Sequence, residues 1–245
     1  MPGFFHSPRY PRFLLVLYVL WFLAWAYKPW VFSDWVLEHS LTVVWLGFLI
    51  ATHRRFPFSN ISYTLIFIHL CLHTVGAHYT YALVPYNDWT QAAFGFRLND
   101  LLGFERNHYD RLVHFSFGLL LAYPVREVFL RVAGAKGFWG YYLPVDLTMS
   151  FSMLYELVEW AAAELFGGEL GQAYLGTQGD LWDAHKDMAL AATGALIAML
   201  ITAAINAYLQ HDFAREWQQS LKIKASLPLG EDEIARLHRT KKLRG

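Results

Sequence analysis

The sequence predicts an all-α membrane protein, a polytopic bundle of about six transmembrane helices. Three observations carry that reading. The 245 residues are 56% hydrophobic and only 16% charged, against about 25% charged for an average soluble domain. Mean hydropathy is positive, at +0.25. The apolar residues fall in long runs that approach the ~20 residues a bilayer-spanning helix needs.

The runs, in order, are roughly Phe13 to Val31, Trp35 to Ala51, Ile61 to Leu83, Tyr109 to Leu130, Leu143 to Phe166 and Asp183 to Leu209. The first follows Arg9 and Arg12, and Ala24-Trp25-Ala26 loosely imitates a signal-peptide cleavage site. Its length and the bulky Trp21, Trp25 and Trp30 favour a retained helix. The second is shortened by Glu38 and His39 near its start. Before the third, Phe56-Pro57-Phe58-Ser59-Asn60 is a break in which Ser59 or Asn60 can cap the helix. Pro144 suits the first turn of the fifth helix, and Gly167-Gly168 ends it. After Gln210 the chain turns polar, which divides it into a six-helix transmembrane domain, 1–210, and a cytoplasmic polar tail, 211–245. Within the tail, Glu231 to Lys242 can form a short helix.

Basic residues set the orientation. Arg9, Arg12, Arg54, Arg55, Arg131, Lys136 and the Lys/Arg-rich tail fall on one side, and the Gly167 to Trp182 loop has no basic residue. Both termini are therefore expected in the cytoplasm. Lys+Arg and Asp+Glu balance at 20 each, which gives no footprint for a nucleic-acid partner. The lone Cys71 excludes an intramolecular disulfide and any multi-cysteine metal site. The expected partner is the lipid bilayer; one sequence leaves the oligomeric state open.

Against this apolar background the ionisable residues form a pattern. His69 and His73 are i, i+4 on the third helix, with Gly76 on the same stripe. Asp110 and His114 are i, i+4 on the fourth, extended by Gly118. Glu156 and Glu159 share one side of the fifth, and Asp183, Asp187 and Gly194 align on the sixth, just after Asp180. Alternate helices run in opposite directions, so His73, Asp110, His114, Glu156, Glu159, Asp183 and Asp187 have similar depth and can converge at the outer end of one bundle, while His69 lies deeper as a hydrogen-bonded core residue. Intramembrane ionisable groups face the bundle interior and mark function by default.

The candidate pocket is therefore Asp110, His114, Glu156, Glu159, Asp183 and Asp187. If it holds a divalent metal such as zinc, iron or manganese, the ligands come from His73, Asp110, His114, Glu156, Asp183 and Asp187. Metal-free acid–base catalysis and a proton relay are two other chemistries open to such a cluster. A purely structural network, with Arg111, Lys186 and the histidines satisfying the carboxylates, is the reading without a ligand. Gly176-Thr177-Gln178-Gly179 offers backbone amides to an anion but lacks the lysine of a phosphate loop.

The segments HTVGAHYTYALVPYNDW, RNHYDRLVHF, YELVEW and LGTQGDLWDAHKDM resemble the YjdF-like bacterial inner-membrane proteins, from about Trp35 to Asn206. The resemblance implies a multi-pass protein of the inner (plasma) membrane, in a family without an established molecular function. Ser116 and His185 stand where members of that family often carry Gln. A more distant resemblance, to VanZ-like membrane proteins, rests on Asp110-Arg111 and His114-Phe115, followed by Glu156 and Asp187. It implies a lipid or other small-molecule substrate of the cell envelope, at the outer leaflet.

Overall fold

A computed structural model describes residues 9–166, 177–223 and 230–242. Among the described residues the regular secondary structure is helical, without strands. The helices are α1 (Tyr10–Trp25), α2 (Phe32–Thr52), α3 (Asn60–His78), α4 (Tyr86–Phe94), α5 (Leu98–Leu102), α6 (Tyr109–Val132), α7 (Trp139–Phe166), α8 (Asp183–Leu209), α9 (Phe213–Ser220) and α10 (Glu231–Lys242).

Four of them, α2, α3, α6 and α8, are long and apolar enough to cross a membrane. The expectation of six spans is thus met in part. At 16 residues α1 is shorter than its apolar run, because the chain turns after Trp25 and Lys28 takes a left-handed conformation (φ 51°). By contrast α7 has ample length, at 28 residues, but Asp146, Glu156, Glu159 and Glu164 dilute its apolar character. The helix begins at Trp139, so Pro144 lies beyond the first turn where it was expected. Gly167 and Gly168 lie outside the described residues.

The tightest pairing is α6 against α8. Its cause is Gly118 meeting Gly194: a Cβ on Gly118 would land on the Ala191 carbonyl oxygen, and one on Gly194 would sit 2.7 Å from the Leu119 nitrogen. Small residues let helix backbones touch in this way. Around this pair α7 packs on both α6 and α8, while α3 packs on α6 and carries α1 and α2 on its other sides.

The start of α3 is fixed twice. Ser59 Oγ accepts from the Ser62 amide, and Glu127 of α6 accepts from the Ser59 amide (3.0 Å) and the Ser62 hydroxyl (2.6 Å). A carboxylate at a helix N-terminus satisfies amides that otherwise lack partners. Glu127→Ala should therefore lower stability by about 2 kcal/mol, measured by thermal unfolding of the purified protein. Glu127→Gln, which keeps an acceptor, should cost less.

Past His78 the chain leaves the helical path, with Thr80 and Tyr81 both left-handed (φ 52° and 51°). This ends α3 before Leu83 and folds the buried Tyr81 ring back over Gly76, where a Cβ would collide with it. Tyr81 is thus an interior residue rather than part of an interfacial aromatic belt. At the opposite end α9 packs against the α6–α7 turn. Glu216 accepts from the Gly137 amide (3.0 Å) and Ser220 Oγ from the Phe138 amide (2.9 Å). Phe213 and Trp217 join Tyr141 in the same apolar cluster.

Candidate functional site

Alternation of helix direction brings the starts of α2, α6 and α8 to the same end as the last turns of α3 and α7. The acidic and imidazole groups gather there. Because α6 and α8 touch through glycine, side chains one and two turns toward their N-termini are forced to face each other. Asp110, His114 and Asp187 result, each offering one ligand-type atom, with the three atoms within 4.8 Å of one another. His114 Nε2 lies 3.5 Å from Asp110 Oδ1, and its Nδ1 lies 3.7 Å from Glu156 Oε1. The Asp187 side chain is buried at 2% exposure, and its Oδ1 makes no hydrogen bond among the described residues; nor does buried Glu156 Oε1.

Asp110, Glu156 and Asp187 border a cavity of about 350 Å³, lined also by Glu159, Asp183 and His185 together with Leu157, Trp160, Thr177, Ala184 and Met188. The charge inventory of this cavity decides what it can hold. The nearby cations are committed elsewhere. Arg106 pairs with Asp183, and Arg111 pairs with Asp180 (2.5 Å) and Asp183 (3.4 Å). Lys186 pairs with Asp180 at 2.6 Å. Asp110, Glu156, Glu159 and Asp187 are thus left facing the imidazoles of His114 and His185. Such a group of carboxylates needs protons or a bound cation to offset it.

A collar of polar contacts holds this end in place. Asn99 donates to the Arg106 carbonyl (2.9 Å), and Tyr86 accepts from the His108 amide (2.9 Å) and donates to Asn99 (2.6 Å), so α4 and α5 position the segment that carries Arg106. Gln178 clasps the backbone of Asn107 from both sides: its oxygen accepts from the amide (3.2 Å) and its nitrogen donates to the carbonyl (3.0 Å). Arg106 also donates to the Thr177 carbonyl (2.5 Å). Here Gln178 joins two loops, while Gly176 lies outside the described residues. In this collar the hydrogen bond from Lys186, with help from the Trp182 amide and Arg111, holds the Asp180 carboxyl down at about 2 against desolvation.

The residues expected to converge separate into three groups. Asp110, His114, Glu156 and Asp187 come together, with Glu159 on the cavity wall. Asp183 borders the same cavity but has Arg106 and Arg111 as partners. His73 stands apart, because Tyr81 OH occupies its Nδ1 (2.5 Å) and Thr42 Oγ1 its Nε2 (2.8 Å). His69 is deeper still, bonded to Ser116 Oγ (3.1 Å).

The profile of a family described as "Predicted membrane protein (DUF2238)" matches residues 10–208. The chain belongs to this family. It is also 40% identical to the inner membrane protein YjdF of Escherichia coli (strain K12) over 172 residues, which is 69% of this chain and 77% of that relative. No solved structure matches. The family match covers α1 to α8, and so every residue of the acidic cavity described above.

Three contributors, a pair on α2 and one loop arginine, escaped sequence reasoning. Asp34 and Glu38 on α2 are buried at 1% and 4% exposure, and Tyr155 of α7 donates to Glu38 Oε2 (2.9 Å). Their i, i+4 spacing repeats that of Asp110 and His114, and early positions on α2 share depth with early positions on α6. Arg106 is the third, legible beforehand only as a loop charge.

Proposed function

We propose that six helices, α1, α2, α3, α6, α7 and α8, cross the bacterial inner membrane with both termini in the cytoplasm. The remaining tail, including α9 and α10, lies on the cytoplasmic side. In this reading the outward-facing cavity is an active or binding site for a lipid or other envelope substrate, built around a divalent metal ion. Asp110, His114 and Asp187 are its ligands, and Glu156 and Glu159 support it.

One observation carries this reading: a His/Asp/Asp group in which Asp187 Oδ1 accepts no hydrogen bond among the described residues, while the nearby Arg106, Arg111 and Lys186 are paired with Asp180 and Asp183. Ligands at ~2.1 Å from a zinc-like ion lie roughly 3–4 Å apart, so the 4.8 Å envelope requires each ligand to move inward by less than about 1 Å. Glu156 beside Nδ1 of His114 matches the carboxylate–histidine–metal arrangement that orients a ligating imidazole. A bound ion would activate water or polarise a phosphoryl or carbonyl oxygen. The cavity is otherwise acidic, so an anionic headgroup would approach it through such an ion. Asp180 and Asp183, saturated by Arg106, Arg111 and Lys186, fit the structural role better than a ligand role.

Metal analysis of the full-length protein, purified without chelators and titrated with zinc, manganese and iron, tests the proposal. One equivalent is expected for the wild type and under a tenth of an equivalent, on the order of the background, for His114→Ala and Asp187→Asn. Metal should also raise the unfolding temperature of the wild type alone. Equal metal content in all three proteins would overturn the metal site. If both variants lost stability while metal had no effect on any of them, the cluster would be an interhelical lock.

A further inference from the structure

A second cavity, of about 300 Å³, lies at the other end of the molecule, where α1 and α3 begin and α2 ends. Its origin is the way α1 and α2 diverge. They meet near the acidic end, where Phe22 of α1 packs on Trp35 and His39 of α2 (ring centroids 5.5 and 5.0 Å). Further along, each leans on α3 instead. The wedge between them is floored by aliphatic and aromatic side chains such as Leu15, Leu46, Ile66 and Phe67, and Arg12 and Arg54 stand at its mouth.

The charge of this groove is one-sided. Among the described residues no carboxylate lines it. Arg12 and Arg54 are exposed, and among the described residues neither has an ion-pair or hydrogen-bond partner. His53 completes the mouth: its Nδ1 is held by the Tyr63 hydroxyl at 2.6 Å, so Nε2 is the ring atom left for a ligand. An apolar slot under two guanidiniums, in a chain that spans a bilayer, has the chemistry of one occupant. We propose that this groove binds an anionic phospholipid, with an acyl chain between α1 and α2 and the phosphate held by Arg12 and Arg54. Guanidinium is suited to phosphate because its planar fork makes two parallel hydrogen bonds. A volume near 300 Å³ is at the small end for ligand sites, which fits part of one chain rather than a whole lipid. This site is separate from the acidic cavity and does not depend on a metal there.

Native mass spectrometry of the full-length protein, titrated with phosphatidylglycerol or phosphatidylcholine, tests the inference. Half-saturation should come at roughly tenfold lower phosphatidylglycerol, since basic residues near a membrane surface each favour anionic lipid. The double variant Arg12→Gln/Arg54→Gln should bring the two lipids level. Leu46→Trp, which fills the floor and keeps both arginines, should weaken both. The ratio between lipids is an internal control for folding. Equal binding of both lipids by the wild type, or an unchanged preference in the double variant, would overturn the site. Competition by glycerol phosphate as effective as the lipid itself would make it a soluble-phosphate site and would also overturn the proposal.

Discussion

Gly118→Val should be the most damaging single substitution in the molecule. Its Cβ would fall on the Ala191 carbonyl oxygen and within 2.8 Å of the Ala195 nitrogen. Overpacking against flexible side chains costs about 1–3 kcal/mol. Here the obstacle is backbone of a facing helix, which has no rotamer to change, so the cost should reach the top of that range or beyond. Relief requires α6 and α8 to separate, and that also parts Asp110 and His114 from Asp187. Thermal unfolding should show the loss of stability, and metal analysis the loss of the ion, in the same variant. Gly47→Ala is the control. Gly47 has nothing within 4 Å of its virtual Cβ, so alanine there should be neutral or should stabilise α2 by about 0.5–1 kcal/mol through helix propensity. Equal stability of the Gly118 and Gly47 variants would show that α6 and α8 do not touch by backbone.

Arg106→Ala comes next. The guanidinium is one partner of Asp183, whose side chain is only 3% exposed, and it also ties Thr177 into the collar. Removing one member of a buried pair costs about 3–5 kcal/mol. The side chain of Arg106 is 17% exposed and Arg111 remains 3.4 Å from Asp183 Oδ1, so a loss of about 2–3 kcal/mol is expected. Most of that is the charge stranded on Asp183. The double variant Arg106→Ala/Asp183→Asn should accordingly be more stable than Arg106→Ala alone. A double-mutant cycle by thermal or chemical unfolding reads this directly. Strict additivity would mean that the two side chains do not interact.

The meeting of Asp110, His114 and Asp187 was largely readable from spacing. Residues at i, i+4 on α6 and α8, with a glycine one or two turns further along each stripe, are enough to say which faces meet. The first residue of α8 and of α6 also agrees with the sequence reading, because in each a polar loop gives way sharply to an apolar run. Hydropathy misled where a side chain overrides it. Ala82 and Leu83 look like more of α3, but the turn at Thr80 and Tyr81 carries the chain back so that a hydroxyl can reach His73. Likewise Glu38 and His39 seemed to weaken α2 as a span. They are instead its inward face, with Glu38 bonded to Tyr155 and the His39 ring packed against Phe22, Trp35 and His73. A single sequence does not say which helix lies opposite α2, and the value of Asp34 and Glu38 depends on that.

The bond between Glu38 and Tyr155 has a bearing on how the protein is made. Its partners are 117 residues apart, so the first three helices are synthesised well before α7 exists. During that interval α2 carries Asp34 and Glu38 without the hydroxyl that later serves Glu38. Carboxylates in this state are costly in hydrocarbon and are accommodated by protonation, by water or by proximity to headgroups. Glu38 therefore gains its hydroxyl partner only once α7 has been synthesised.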